Sequence, residues 1–112
     1  MQISRLVDKR QAQRFRMHLP VTYKVIAGSD FAKTVTRDIS NTGLKFISEG
    51  FIAPLTEVAL QINLFSKMLT PTAKVVWSER IPYSDRYYSG LQFNKFNPEE
   101  TRYLKDYLSL HQ

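Results

Sequence analysis

The sequence predicts a mainly β domain that ends in one α-helix. Three observations carry this. Six short stretches with β-strand character are separated by turn residues, no helix-period segment lies between them, and a capped amphipathic stretch closes the chain. Short strands joined by turns pair antiparallel, in a small barrel or a sandwich. At 112 residues and 13.1 kDa the chain fits one domain with one modest core.

Each element has its own signal. Residues 21–27 alternate apolar and polar up to Ile26, and Gly28, Ser29 and Asp30 supply a turn. Residues 32–39 are rich in β-branched side chains (Thr34, Val35, Thr36). A turn at residues 40–43 leads into a third strand at 43–48. Residues 58–64 give the cleanest alternation, with Val58, Leu60, Ile62 and Leu64 facing one way. Strands at 73–78 and 88–93 complete the six. Asn97 then suits a helix N-cap, Pro98 the first helical position, and Glu100 the third residue of a capping box. Tyr103, Leu104, Tyr107 and Leu108 form a stripe that should lie on the barrel.

Composition narrows the function. With 43% hydrophobic and 23% charged residues the chain suits a folded globular protein. It has no cysteine, which excludes disulfides, thiolate metal sites and a cysteine nucleophile. His18 and His111 stand at opposite ends without a carboxylate at ligand spacing, so no metal site is expected. No apolar run reaches membrane-spanning length and residues 1–9 lack a secretory core, which makes the expected location cytoplasmic. No His–carboxylate pair, paired acids or phosphate-cradling glycine loop appears, so no enzyme is expected.

Charge is uneven. The net charge is +6, and residues 1–18 hold Arg5, Lys9, Arg10, Arg14 and Arg16 against Asp8 alone. These residues read as a flexible, irregular basic arm ahead of a barrel spanning residues 19–112, and the concentrated charge points to an anionic partner.

Two motifs give that partner a shape. Arg10 and Arg14 form an Arg-x-x-x-Arg pair whose spacing puts both on one side, whether the arm is helical or extended. Asp38, Ser40 and Gly43 form an Asp-x-Ser-x-x-Gly hexad, expected by chance only about 0.01 times in such a chain. Arginine forks pair with phosphate oxygens or with guanine O6 and N7, and stack on bases. The Asp38 carboxylate suits the N1–H and N2–H₂ edge of guanine, and Ser40 adds a hydroxyl. Gly43 is expected to allow positive φ and close backbone approach to a ligand.

In this order and separation the motifs resemble the PilZ domain, the bacterial receptor module for cyclic di-GMP. Residues 14–23, the run Val75-Val76-Trp77 and the run Gly90-Leu91-Gln92-Phe93 are also similar to family segments. The resemblance implies a six-stranded antiparallel β-barrel of split-barrel type with a C-terminal helix. It also implies that Arg10 and Arg14 hold phosphates and guanine while Asp38, Ser40 and Gly43 frame a guanine. Lys9, Arg16, Asn41 and Trp77 are secondary candidates. Lys9 precedes the first arginine, where the family sets whether one ligand or a stacked pair binds, and a lysine leaves the number open. A single barrel tryptophan is expected first in the core, so Trp77 ranks behind the motif residues. Thr56 departs from the family, many members of which have glycine before the fourth strand.

The resemblance thus implies a non-enzymatic cyclic di-GMP receptor with no catalytic cofactor. Its arm would order on the ligand, at a cost on the order of a few kcal/mol, and as a stand-alone domain it would signal to a separate partner protein. Two alternatives differ in kind. A nucleic-acid-binding barrel with a basic arm predicts steep salt dependence and indifference to Asp38. A PilZ adaptor that binds no nucleotide would lack the arginine pair, which this chain keeps.

Overall fold

The computed structural model describes residues 13–28 and 30–111. Seven strands and one helix follow in order: β1 (Pro20–Val25), β2 (Ala32–Ile39), β3 (Gly43–Ser48), β4 (Glu57–Asn63), β5 (Met68–Leu69), β6 (Thr72–Arg80), β7 (Tyr87–Lys95) and α1 (Pro98–Ser109). All pairings are antiparallel, in the order β1-β2-β3-β7-β6-β4-β5. A further pairing of β1 with β4, from Val21↔Ile62 to Val25↔Val58, closes six of the strands into a barrel.

The six expected strands are all present, with shifted ends. β1 stops at Val25, where the Gly28 amide donates to the Val25 carbonyl at 2.8 Å. The additional strand, β5, is a two-residue hairpin partner of β4 that is too short to show a period. At Thr56, where a glycine-dependent turn was in question, the left-handed position falls one residue earlier, on Leu55 (φ 75°).

The alternation seen in the sequence fills the barrel. Val58, Leu60 and Ile62 of β4 point inward beside Leu44 and Phe46 of β3, Val75 of β6 and Leu91 of β7, all buried. Tyr23 stacks on Phe46 at 4.6 Å between ring centroids. α1 covers one end of the barrel with Leu104 and Leu108, and Tyr103 and Tyr107 pack partly against the same core.

Asn97 caps the helix, its side-chain oxygen accepting from the amides of Glu99 (2.8 Å) and Glu100 (3.3 Å). The capping box is only half made. Glu100 turns instead to the Thr70 amide at 2.9 Å and ties the helix to the loop after β5.

Candidate functional site

Register gathers residues that lie far apart in the sequence. Asp38 of β2 pairs with Lys45 of β3, Lys45 with Gly90 of β7, and Gly90 with Trp77 of β6. Paired residues in neighbouring strands share a face. One row of the barrel's outer surface therefore runs Asp38, Lys45, Gly90, Trp77. The next row, Ile39, Leu44, Leu91 and Val75, points into the core.

Of three register shifts among the described strands, two shape this surface; the third lies between Thr72 and Ala73. The first of the two falls between Thr36 and Asp38, the second between Val75 and Trp77. A bulge inserts one residue and lets two neighbours emerge on the same side. Strict alternation from buried Val75 would turn Trp77 inward, toward the core where a single barrel tryptophan is expected first. The bulge at Val76 turns it outward, and Trp77 is 40% exposed. Its indole lies across Gly90, where a β-carbon would sit 2.3 Å from the indole nitrogen.

The arm also alternates. Phe15, Met17 and Leu19 turn toward the barrel, while Arg14, Arg16 and His18 are exposed. Phe15 and Ile39 exchange backbone hydrogen bonds of 2.8 and 3.0 Å, and the Leu19 and Thr36 amides and oxygens interlock further along. The Thr36 hydroxyl also donates to the Met17 carbonyl. The irregular arm expected through residue 18 is therefore strand-like and docked from Phe15 onward. The signal was present in Arg14-Phe15-Arg16-Met17-His18-Leu19, an alternation that the dominant basic charge obscured.

This docking places Arg14 on Asp38. Asp38 Oδ1 accepts from Arg14 Nε at 2.9 Å and from an Arg14 Nη at 2.5 Å, while Lys45 Nζ stands 3.6 Å from Oδ2. The carboxylate is only 17% exposed and has a cation on each oxygen. Beside it Arg14, Thr42, Gly43, Trp77, Gly90 and Gln92 line an open groove of about 280 Å³. One wall carries a guanidinium and another an indole, which suits a flat, electron-rich ligand with acidic oxygens.

The rest of the hexad supports this surface from beneath. Ser40 is fully buried, and its hydroxyl accepts from the amides of Thr42 (3.1 Å) and Gly43 (3.3 Å). It holds the β2–β3 turn in place of presenting a free hydroxyl. Gly43 is not in a positive-φ conformation, contrary to expectation. Its requirement is steric: a β-carbon there would sit 2.1 Å from the Leu91 carbonyl oxygen of β7. Asn41 is half-buried in the same turn. Arg16 lines the opposite flank of the Arg14–Asp38 pair. Lys9 and Arg10 lie outside the described residues.

A family model described as the PilZ domain matches residues 8–110. The chain belongs to the PilZ domain family. Among solved structures this PilZ domain is similar to the Bacillus subtilis inhibitor of motility MotI/DgrA, with a TM-score of 0.81 and 20% identity over 98% of this chain and 52% of that one. It is also similar to the PilZ domain of YcgR from Escherichia coli, solved with c-di-GMP, at a TM-score of 0.70 and 15% identity over 92% of each chain. The complex of MrkH from K. pneumonia with c-di-GMP matches at 0.73 and 19%, over 95% of this chain and 52% of that one. This PilZ domain spans about half the length of the MotI/DgrA and MrkH chains. At such identities the likeness is one of fold. No curated protein sequence matches.

Proposed function

We propose that this PilZ domain is a receptor for cyclic di-GMP. The observation that carries the reading is the convergence of Arg14, held on Asp38, with Trp77 around the groove beside the β2–β3 turn. Family membership and the c-di-GMP bound by the PilZ domain of YcgR and by MrkH support it. Arg14 pairs with a phosphate or with the guanine edge, Trp77 stacks on a base, and Asp38 accepts from guanine N–H groups. Arg10 adds the second guanidinium of the motif, and Lys9 stands where the family sets the number of ligands, with the number left open. Ser40 and Gly43 act indirectly, by fixing the turn and letting β3 approach β7. The ligand-bound surface then engages a separate protein, a population shift driven by unequal affinity for the two states.

Calorimetric titration of cyclic di-GMP into wild type, Arg14→Ala and Asp38→Ala tests the reading, with GTP and a short oligonucleotide as controls. Saturable binding that is lost in both variants and absent for the controls is expected. No binding by folded wild type would sink the receptor and leave an adaptor. Oligonucleotide binding that survives Asp38→Ala would point to the basic arm as a nucleic-acid surface. For the partner, a pull-down that recovers nothing with or without ligand would remove the signalling step.

A further inference from the structure

We propose that the groove on the opposite flank of the Arg14–Asp38 pair is a second oxyanion subsite, built for a phosphate group. It encloses about 490 Å³, more than the Trp77 groove, and is lined by Arg16, His18, Arg37, Asp38, Lys45 and Tyr88. The ion pair forms the ridge between the two grooves.

The β2 bulge makes this second groove basic. In a regular strand Arg37 and Asp38 face opposite sides, and an inward Arg37 would be buried in the core. The register shift between Thr36 and Asp38 brings both to the outer surface, so the guanidinium joins the groove beside the carboxylate. The alternating arm, docked alongside β2, adds Arg16 and His18 to the same lining. Lys45 completes the lining, its ammonium 5.2 Å from the Tyr88 ring centroid.

The balance of charge selects an oxyanion. Asp38 is the sole carboxylate in the lining, and Arg14 and Lys45 already neutralise it. Among the described residues neither Arg16 nor Arg37 pairs with a carboxylate. Two guanidinium forks converging on one concavity, unpaired there, suit the three or four oxygens of a phosphate better than a carboxylate's two. That phosphate can belong to the nucleotide of the proposed receptor or to an independent phosphate-bearing molecule. The subsite rests on its own residues in either case.

Sodium phosphate titrated into ¹⁵N-labelled full-length protein, against sodium chloride at matched ionic strength, tests the subsite. Saturating shifts at the Arg16 and Arg37 side chains are expected with phosphate alone. Arg37→Gln, at an exposed position, should weaken phosphate about tenfold, while Arg102→Gln on α1, a helix that adds no residue to the groove, should not. Equal shifts in both salts, or unchanged phosphate affinity in Arg37→Gln, would overturn the proposal. Cyclic di-GMP titrated into the same variant then separates the sources. Weakened dinucleotide binding assigns the subsite to that ligand, whereas unchanged dinucleotide binding with lost phosphate binding assigns it to a separate molecule. Phosphate binding by a wild type that ignores cyclic di-GMP would sink the receptor reading and leave the subsite standing.

Discussion

The helix-covered end of the barrel and the outer face of β2–β3–β7–β6 use one alternating pattern in opposite ways. At the helix end Leu64, Leu104 and Leu108 are buried where their periods place them, and Asn97 starts the helix where its side chain caps best. On the outer face the two strands at either edge each carry an extra residue, Arg37 and Val76, that breaks the period. Regular repeats suffice to close a core. A surface that must aim particular side chains at a ligand departs from them, and two of the three register shifts among the described strands flank the candidate grooves.

Substitutions can break that comparison, and the largest effect belongs to the core. Leu104→Ala removes a fully buried side chain and should cost about 2–5 kcal/mol in urea unfolding. The Trp77 emission of the remaining folded protein should stay unchanged; a spectral shift would mean that helix and groove are coupled. Gly43→Ala comes next. Its β-carbon would meet backbone of β7, so β3 and β7 must part at about 1–3 kcal/mol, and wild-type stability would show this contact to be slack.

Gly90→Ala sharpens the contrast, because the three atoms nearest its β-carbon all belong to the indole of a partly exposed side chain. We expect altered Trp77 fluorescence, weakened ligand binding and less than about 1 kcal/mol of lost stability. A cost matching that of Gly43→Ala would show the indole to be fixed. The smallest effect concerns Arg14 and Asp38. A double-mutant cycle on stability should give a coupling under about 1 kcal/mol that fades with salt, since half of the Arg14 side chain is exposed. Coupling well above that would give the pair a structural role and weaken its assignment to a ligand.

What was legible in the sequence follows the same divide. The six barrel strands, the Asn97 cap and the Leu104–Leu108 stripe could be read because each repeats a local rule over many residues. Asp38 and Arg14 could be named from motif spacing, and their ion pair brings them together across the intervening strands. Trp77 was misplaced, and Arg37 went unnoticed, because a single inserted residue leaves no periodic trace; its effect is visible only in the register with the neighbouring strand. Gly43 lacks the positive φ expected of it. Its constraint comes from Leu91, far along the chain, and local conformational preference carries no information about that contact. The two residues of β5 and the diversion of Glu100 to Thr70 are likewise products of tertiary proximity.

The closure of β1 on β4 also limits how this domain can meet another protein. In an open sheet the outermost strands offer unpaired amides and carbonyls, onto which a foreign segment can add as a further strand. Here β1 is engaged on both sides, and β4 is shared among β1, β5 and β6. Among the described strands, unpaired rims are left at two-residue β5 and along Val76–Arg80 of β6, which pairs with β7 alone. Strand addition is thus confined to the outer end of β6; elsewhere a partner must recognise side chains, so its specificity can be changed there by surface substitution without disturbing the backbone ladder.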